Sequence, residues 1–249
     1  MPYYEEICHA GKTIEIHKYH FYKYPCKGER RNKKEKLTCE AQEKINQRQA
    51  VKKLRRLMNH NFCDNDYLIT LDYRPEERPK DSKQMQKDIS DFLKRLRRVY
   101  KSHDTVLKYI YVKERGKKGA AHVHIMLNDC NRENISVIIK NCWIKGRGHV
   151  DILDTDGQYG KIAEYFVKYS IKTEETEGEL IGKRYYPSRT LEKPVVKKRI
   201  IRRVNTFREK IKDIKGYYLE KDSVLSGITG EGYHFFSYIL HEVNKRKRE

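Results

Sequence analysis

Residues 121–127, Ala-His-Val-His-Ile-Met-Leu, alternate in character with a period of two, and that period ties them to a strand with two unlike faces. His122, His124 and Met126 share one face; Val123, Ile125 and Leu127 share the other, where a helical layer can bury them. Turn residues bound the run, with Gly116 to Gly119 before it and Asn128 and Asp129 after it. Two imidazoles on one strand face can hold a divalent cation together, each through a neutral ring nitrogen. Taken alone the pair is ordinary, because strand histidines are more often packed or solvated than ligating. Its meaning depends on what the rest of the chain brings alongside.

The surrounding pattern predicts an α+β fold, a central antiparallel sheet with flanking helices laid against one face. Residues 66–73 and 106–113 read as strands, the second joined to the histidine strand by a short basic loop and therefore its hairpin partner. A capping box at residues 81–84 opens a helix whose apolar side is Met85, Ile89, Phe92, Leu93, Leu96 and Val99. A helix over 131–143, stopped by Gly146 and Gly148, and a strand over 149–153 follow. Before these lie one strand (13–22), a basic run (27–34) and a helix opening at Thr38. After residue 173 an acidic exposed linker, a stretch of aromatics set among cations, and a helix from about Tyr233 with a basic tail at 245–248 complete the chain. The predicted organisation is a flank over 1–62, a catalytic domain over 63–174 and a basic extension over 175–249.

Charge narrows the partner. The 249 residues carry 55 Lys and Arg against 35 Asp and Glu, a formal net charge of +20. Such a surplus calls for a polyanion, nucleic acid before anionic membrane. No apolar run approaches the roughly 20 residues of a membrane span, and the first residues lack a signal-peptide core. The six cysteines are scattered, without a C-x-x-C pair, and read as reduced thiols of a cytoplasmic protein.

A helix over about 158–172 carries the most chemistry. Ile162, Ala163, Phe166, Val167, Ser170 and Ile171 gather on one side, and Lys161, Tyr165, Lys168, Tyr169 and Lys172 on the other. The two tyrosines lie one turn apart, about 6 Å along the axis, a spacing that keeps them from meeting one phosphate in one pose. A phenol needs a nearby cation or metal to attack at neutral pH, and Lys168 stands on the same face. The plain alternative is an amphipathic helix with a decorative outer face. In the predicted hairpin, Glu114 falls near His122 or His124, giving two imidazoles and a carboxylate with open positions on a cation. Zinc hydrolases use the same donors, so the donor set alone does not choose the reaction. Further along, Arg184, Tyr185, Arg189, Lys197, Lys198 and Arg199 set aromatics beside cations, a composition that suits stacking on bases while neutralising phosphate and equally suits a solvated loop with incidental tyrosines.

His122-Val-His124 followed by Tyr165-x-x-Lys168 and Tyr169-x-x-Lys172 resembles the HUH endonuclease superfamily, and within it the phage- and plasmid-type rolling-circle replication initiators. Thr70-Leu-Asp72 stands where those proteins carry their first motif, with Asp72 a departure from the usual Thr or Ser. The resemblance spans about residues 68–172. It implies an HUH/RRM-like sheet and Mg²⁺ or Mn²⁺ on His122, His124 and Glu114. It implies attack by Tyr165 on single-stranded origin DNA and a second transfer by Tyr169. It also implies host helicase and polymerase as partners in a bacterial cytoplasm. Two rival readings remain at this point: a conjugative relaxase or single-strand transposase of the same superfamily, and a basic DNA-binding module without catalysis.

Overall fold

The computed structural model describes residues 2–20, 39–115, 120–130, 134–177, 183–202, 207–229 and 232–243. Within them the strands are β1 (Tyr3–Ala10), β2 (Thr13–Tyr19), β3 (Tyr67–Tyr73), β4 (Tyr109–Arg115), β5 (Ala121–Leu127), β6 (Gly146–Ile152), β7 (Tyr186–Pro187), β8 (Val196–Ile201), β9 (Tyr217–Leu219), β10 (Leu225–Ile228) and β11 (His234–Glu242). The helices are α1 (Cys39–Asn61), α2 (Ser82–Ser102), α3 (Ile135–Cys142) and α4 (Gly160–Glu177). The class is α+β, with antiparallel sheets. The chain divides into two compact units, Gln47–Glu192 and, drawn from both ends, Met1–Asn46 with Lys193–Glu249.

The unit over Gln47–Glu192 is built on a sheet of order β6-β3-β5-β4-β7. Its central hairpin follows from the alternation at 121–127: Val123, Ile125 and Leu127 are fully buried on one face, together with Ile69 and Leu71 of β3. Met85, Ile89, Phe92 and Leu96 of α2 and Ile139 of α3 complete that core. Asp81 caps α2 by accepting the Gln84 backbone N–H at 2.7 Å. The opposite face is covered as well. Ile110, Val112 and Met126 pack beneath Leu54 and Met58 of α1 and Ala163, Phe166 and Val167 of α4. The expectation of helices on one face is therefore corrected. The apolar stripe of α4 needs burial as much as that of α2, and the second sheet face supplies it.

That second face is apolar only at one end. Antiparallel register aligns Glu114 with His122, His122 with Asp72 and Asp72 with Arg147, one row across four strands. The next row joins His124, Thr70 and His149. Val112 of the same row packs under α1 and α4, so the polar end of the sheet borders that apolar core.

In the other unit the sheet runs β10-β11-β2-β1-β8, with β9 on β11. Ile14, Ile16, Phe236, Tyr238 and Leu240 bury one face with Phe207. Two expectations fail here. The aromatic stretch after Tyr233 is strand β11, not a helix, because Phe236, Tyr238 and Leu240 alternate into that core with period two. Residues 3–10 add a strand beside 13–19 through a turn at Gly11, whose φ of 55° favours glycine. The predicted linker is shortened too, since α4 continues to Glu177. The basic run 27–34, Thr38, the turn 116–119, residues 178–182 and the tail 245–248 lie outside the described residues. Among the described residues no helix is long and apolar enough to cross a membrane.

Candidate active site

Three elements meet at the polar end: the β4–β5 hairpin, the neighbouring strand β3, and α4. His124 Nε2 lies 3.0 Å from Glu114 Oε2, and its Nδ1 lies 3.1 Å from the Thr70 hydroxyl. His122 Nδ1 lies 2.6 Å from Asp72 Oδ1. The first pair is nearly closed to solvent, with side chains 9% and 7% exposed, whereas His122 and Asp72 are 36% and 47% exposed. A carboxylate only accepts, so Asp72 holds His122 in the form with Nδ1–H and leaves the Nε2 lone pair outward. By the same rule Glu114 accepts from His124 Nε2–H, so in the neutral ring the Thr70 hydroxyl donates to Nδ1, and a cation at Nε2 would displace that proton.

The backbone behind Asp72 is pinned. Trp143 Nε1 donates to the Asp72 carbonyl at 2.8 Å, and Trp143 is wedged edge-on against Tyr73 and Phe92. Gly146 faces the same carbonyl so closely that a Cβ there would collide with it. Thr70 and Asp72 are the functional candidates to which sequence reasoning gave no definite role. Their signal was present as alternate positions of one strand, which point the same way.

Both tyrosines of α4 reach this end. The Tyr169 ring lies parallel to the His124 ring, centroids 4.0 Å apart and planes within 7°. Tyr165 meets Tyr169 edge-on at 4.2 Å and His124 at 6.2 Å. The rings thus converge rather than staying a helical turn apart, because both side chains lean onto the same imidazole. Tyr165 is 49% exposed, while Tyr169 also packs against the apolar residues beneath α4. Burial first, then a hydrogen bond to Tyr165 and the charge of Glu114, push the Tyr169 phenol well above its usual range.

Two cis ligands on an octahedral ion with bonds of about 2.1 Å stand about 3 Å apart, and His124 Nε2 and Glu114 Oε2 are separated by 3.0 Å. Among the described residues no three His, Cys, Asp or Glu side chains are already gathered as a cage. The pair fits an ion such as Mg²⁺, which keeps waters and takes few protein ligands. His122, the third candidate, stands with its ring centroid 6.4 Å from that of His124.

The remaining candidates are dispersed. Lys161 and Lys168 are exposed on α4; Lys172 lies on the same helix, with its side chain outside the described ones. Arg184, Tyr185 and Arg189 belong to a segment that adds β7 to the sheet edge, where Ser188 N–H donates to the Tyr109 carbonyl at 2.8 Å. Arg189 is exposed, while Tyr185 packs against the core under α4, and burial raises its phenol. Lys197, Lys198 and Arg199 lie on β8 of the other unit. There Lys198 sits over the rings of Tyr4 and Tyr19, at 4.2 and 5.2 Å, and Arg199 Nε donates to buried Glu5 at 2.6 Å. The described residues thus bring two imidazoles, two carboxylates and two phenols to one end of the sheet.

No curated protein and no solved structure matches the chain. Residues 66–174, a span from just before β3 to near the end of α4, match the family model of the replication-associated protein ORF2/G2P, so the part of the chain that holds this site is similar to replication-associated proteins.

Proposed function

We propose that the protein initiates rolling-circle replication as an HUH-type nuclease, cutting single-stranded origin DNA with a tyrosine. The observation that carries the reading is the convergence of Tyr165 and Tyr169 on the His124–Glu114 pair. The match to a replication-associated family favours initiation over conjugative transfer or transposition.

Tyr165, the exposed phenol, attacks the scissile phosphorus through its Oη. The bond from phosphorus to the 3′ oxygen breaks, and the phenol proton is balanced by protonation of that oxygen. The products are a 5′-phosphotyrosyl enzyme and a free 3′-hydroxyl, which primes synthesis by host helicase and polymerase. Since the covalent link conserves the phosphodiester energy, rejoining needs no ATP. Tyr169 carries out the second transfer that closes the circle. His124 and Glu114, with His122, would hold the Mg²⁺ or Mn²⁺, and that ion would supply Lewis-acid polarisation of a phosphate oxygen. Lys168 steadies the phosphate, and Lys161, Lys172, Arg184 and Arg189 neutralise flanking phosphates. Lys197, Lys198 and Arg199, on the other unit, form a separate basic set that can take phosphate. Arg147, opposite Asp72 on the edge strand, extends the polar row along which a single strand can lie.

The test is to incubate the protein with single-stranded oligonucleotides and Mn²⁺ and seek an adduct that survives denaturant. Peptide mapping should place the DNA on Tyr165. An adduct on Tyr169 alone reverses the two roles, and no adduct with any sequence leaves a basic DNA-binding module.

A further inference from the structure

We infer that the ring of Tyr169 clamps the His124 imidazole in its working orientation, a positioning role that belongs to the aromatic face rather than to the hydroxyl. As far as His124 serves as a metal ligand, the inference rests on the function proposed above. His124 is fixed in its ring plane by contacts at both nitrogens, Thr70 at 3.1 Å and Glu114 at 3.0 Å. Those contacts lie at the ring's edge and resist tilting out of plane only weakly. The face contact with Tyr169, at 4.0 Å and 7°, constrains that tilt.

Tyr169 is itself held. It rides on α4, whose Ala163 and Phe166 are fully buried, and the Tyr165 ring abuts it edge-on at 4.2 Å. His122 lies across the other histidine's ring at 6.4 Å, is 36% exposed, and depends on Asp72 for its orientation. The two histidines are therefore steadied by different devices, one by a stacked ring and one by a carboxylate. A consequence for the proposed cycle is that Tyr169 steadies His124 during the first cut and must leave it to attack in the second.

The test compares Tyr169→Phe, Tyr169→Leu and Tyr169→Ala, each checked for folding by thermal melting. Ring-nitrogen NMR of the metal-free protein reads His124 directly. Mn²⁺ titration then reads its consequence for the metal. Phe should preserve a single ordered His124 signal and wild-type Mn²⁺ affinity. Leu, and Ala where it folds, should broaden or average the His124 signals and weaken Mn²⁺ about 10-fold. Wild-type spectra and affinity in Leu would overturn the inference, and so would Phe behaving like Leu, since the hydroxyl would then be what matters. If the wild type binds no Mn²⁺ while the spectra still divide Phe from Leu, the clamp stands and the metal reading of the site falls.

Discussion

Asp72 Oδ1 sits 2.6 Å from Nδ1 of His122, on adjacent strands and in register, so a residue of β3 sets which nitrogen of a β5 histidine faces outward. Asp72→Ala should therefore weaken Mn²⁺ binding and slow nicking by about 10- to 100-fold. Asp72→Asn retains an acceptor for the Nδ1–H and should lose less. Mn²⁺ titration and nicking rates on one oligonucleotide measure both variants.

His124→Ala should abolish cleavage and leave single-strand affinity within about twofold, since the ring is only 9% exposed beside Glu114 and has little surface to offer DNA. Glu114→Gln should cost less. Gel-shift and nicking assays run in parallel on the same preparations separate binding from chemistry. Wild-type cutting by both variants would remove this pair from the reaction.

Gly146→Ala should destabilise the protein by about 1–3 kcal/mol, because the new methyl group meets the Asp72 carbonyl that Trp143 holds. The same displacement moves the carboxylate that orients His122, so nicking should fall with stability. Thermal melting and nicking at a temperature well below the transition check the two effects separately.

DNA binding with this much positive charge should weaken steeply with salt, with a slope on single strands of roughly −0.7 per phosphate neutralised. Arg147→Ala should reduce that slope by one such step while leaving Mn²⁺ affinity unchanged. Fluorescence titrations across a salt series provide the slope.

Arg199→Ala should act on stability more than on DNA. Glu5 is 2% exposed and takes hydrogen bonds from Arg199 and, at 3.5 Å, from Lys212. Removing one donor from a buried carboxylate costs about 1–3 kcal/mol. Denaturant unfolding should register that loss, while single-strand affinity should fall by no more than the one phosphate contact assigned to Arg199.

The centre of the molecule was legible and its margins were not, for reasons that particular residues make plain. Val123, Ile125 and Leu127 alternate with the histidines and have full burial on one side, so period and environment agree. Once the hairpin was read, the proximity of Glu114 followed from register. The contact between Tyr169 and His124 did not follow, because it depends on where α4 crosses the sheet. Asp72 looked like a departure from a motif, and only the pairing of β3 with β5 gave its side chain a target. At the margins, β8 presents Lys197, Lys198 and Arg199 in succession, which reads as a charge run. It is an edge strand whose side chains find Tyr4, Tyr19 and Glu5 on other strands. Residues 235–240 form an apolar run too short for its composition to choose between helix and strand, and sheet pairing chose.

The pairing of Tyr3 with Ile201 and of Ile14 with Leu240 also sets an order of events as the chain leaves the ribosome. The segment from Gln47 to Glu192 has all of its sheet partners within itself and can fold as soon as it emerges. The β1–β2 hairpin, made before the Gln47–Glu192 segment, has to wait for strands made after it, its apolar side chains Ile14 and Ile16 meanwhile without Tyr238 and Leu240 beside them. A message cut short after residue 192 would thus release a finished Gln47–Glu192 unit carrying an unfinished, sticky ribbon from β1 and β2. In such a product aggregation, rather than loss of the active-site fold, should be the first defect.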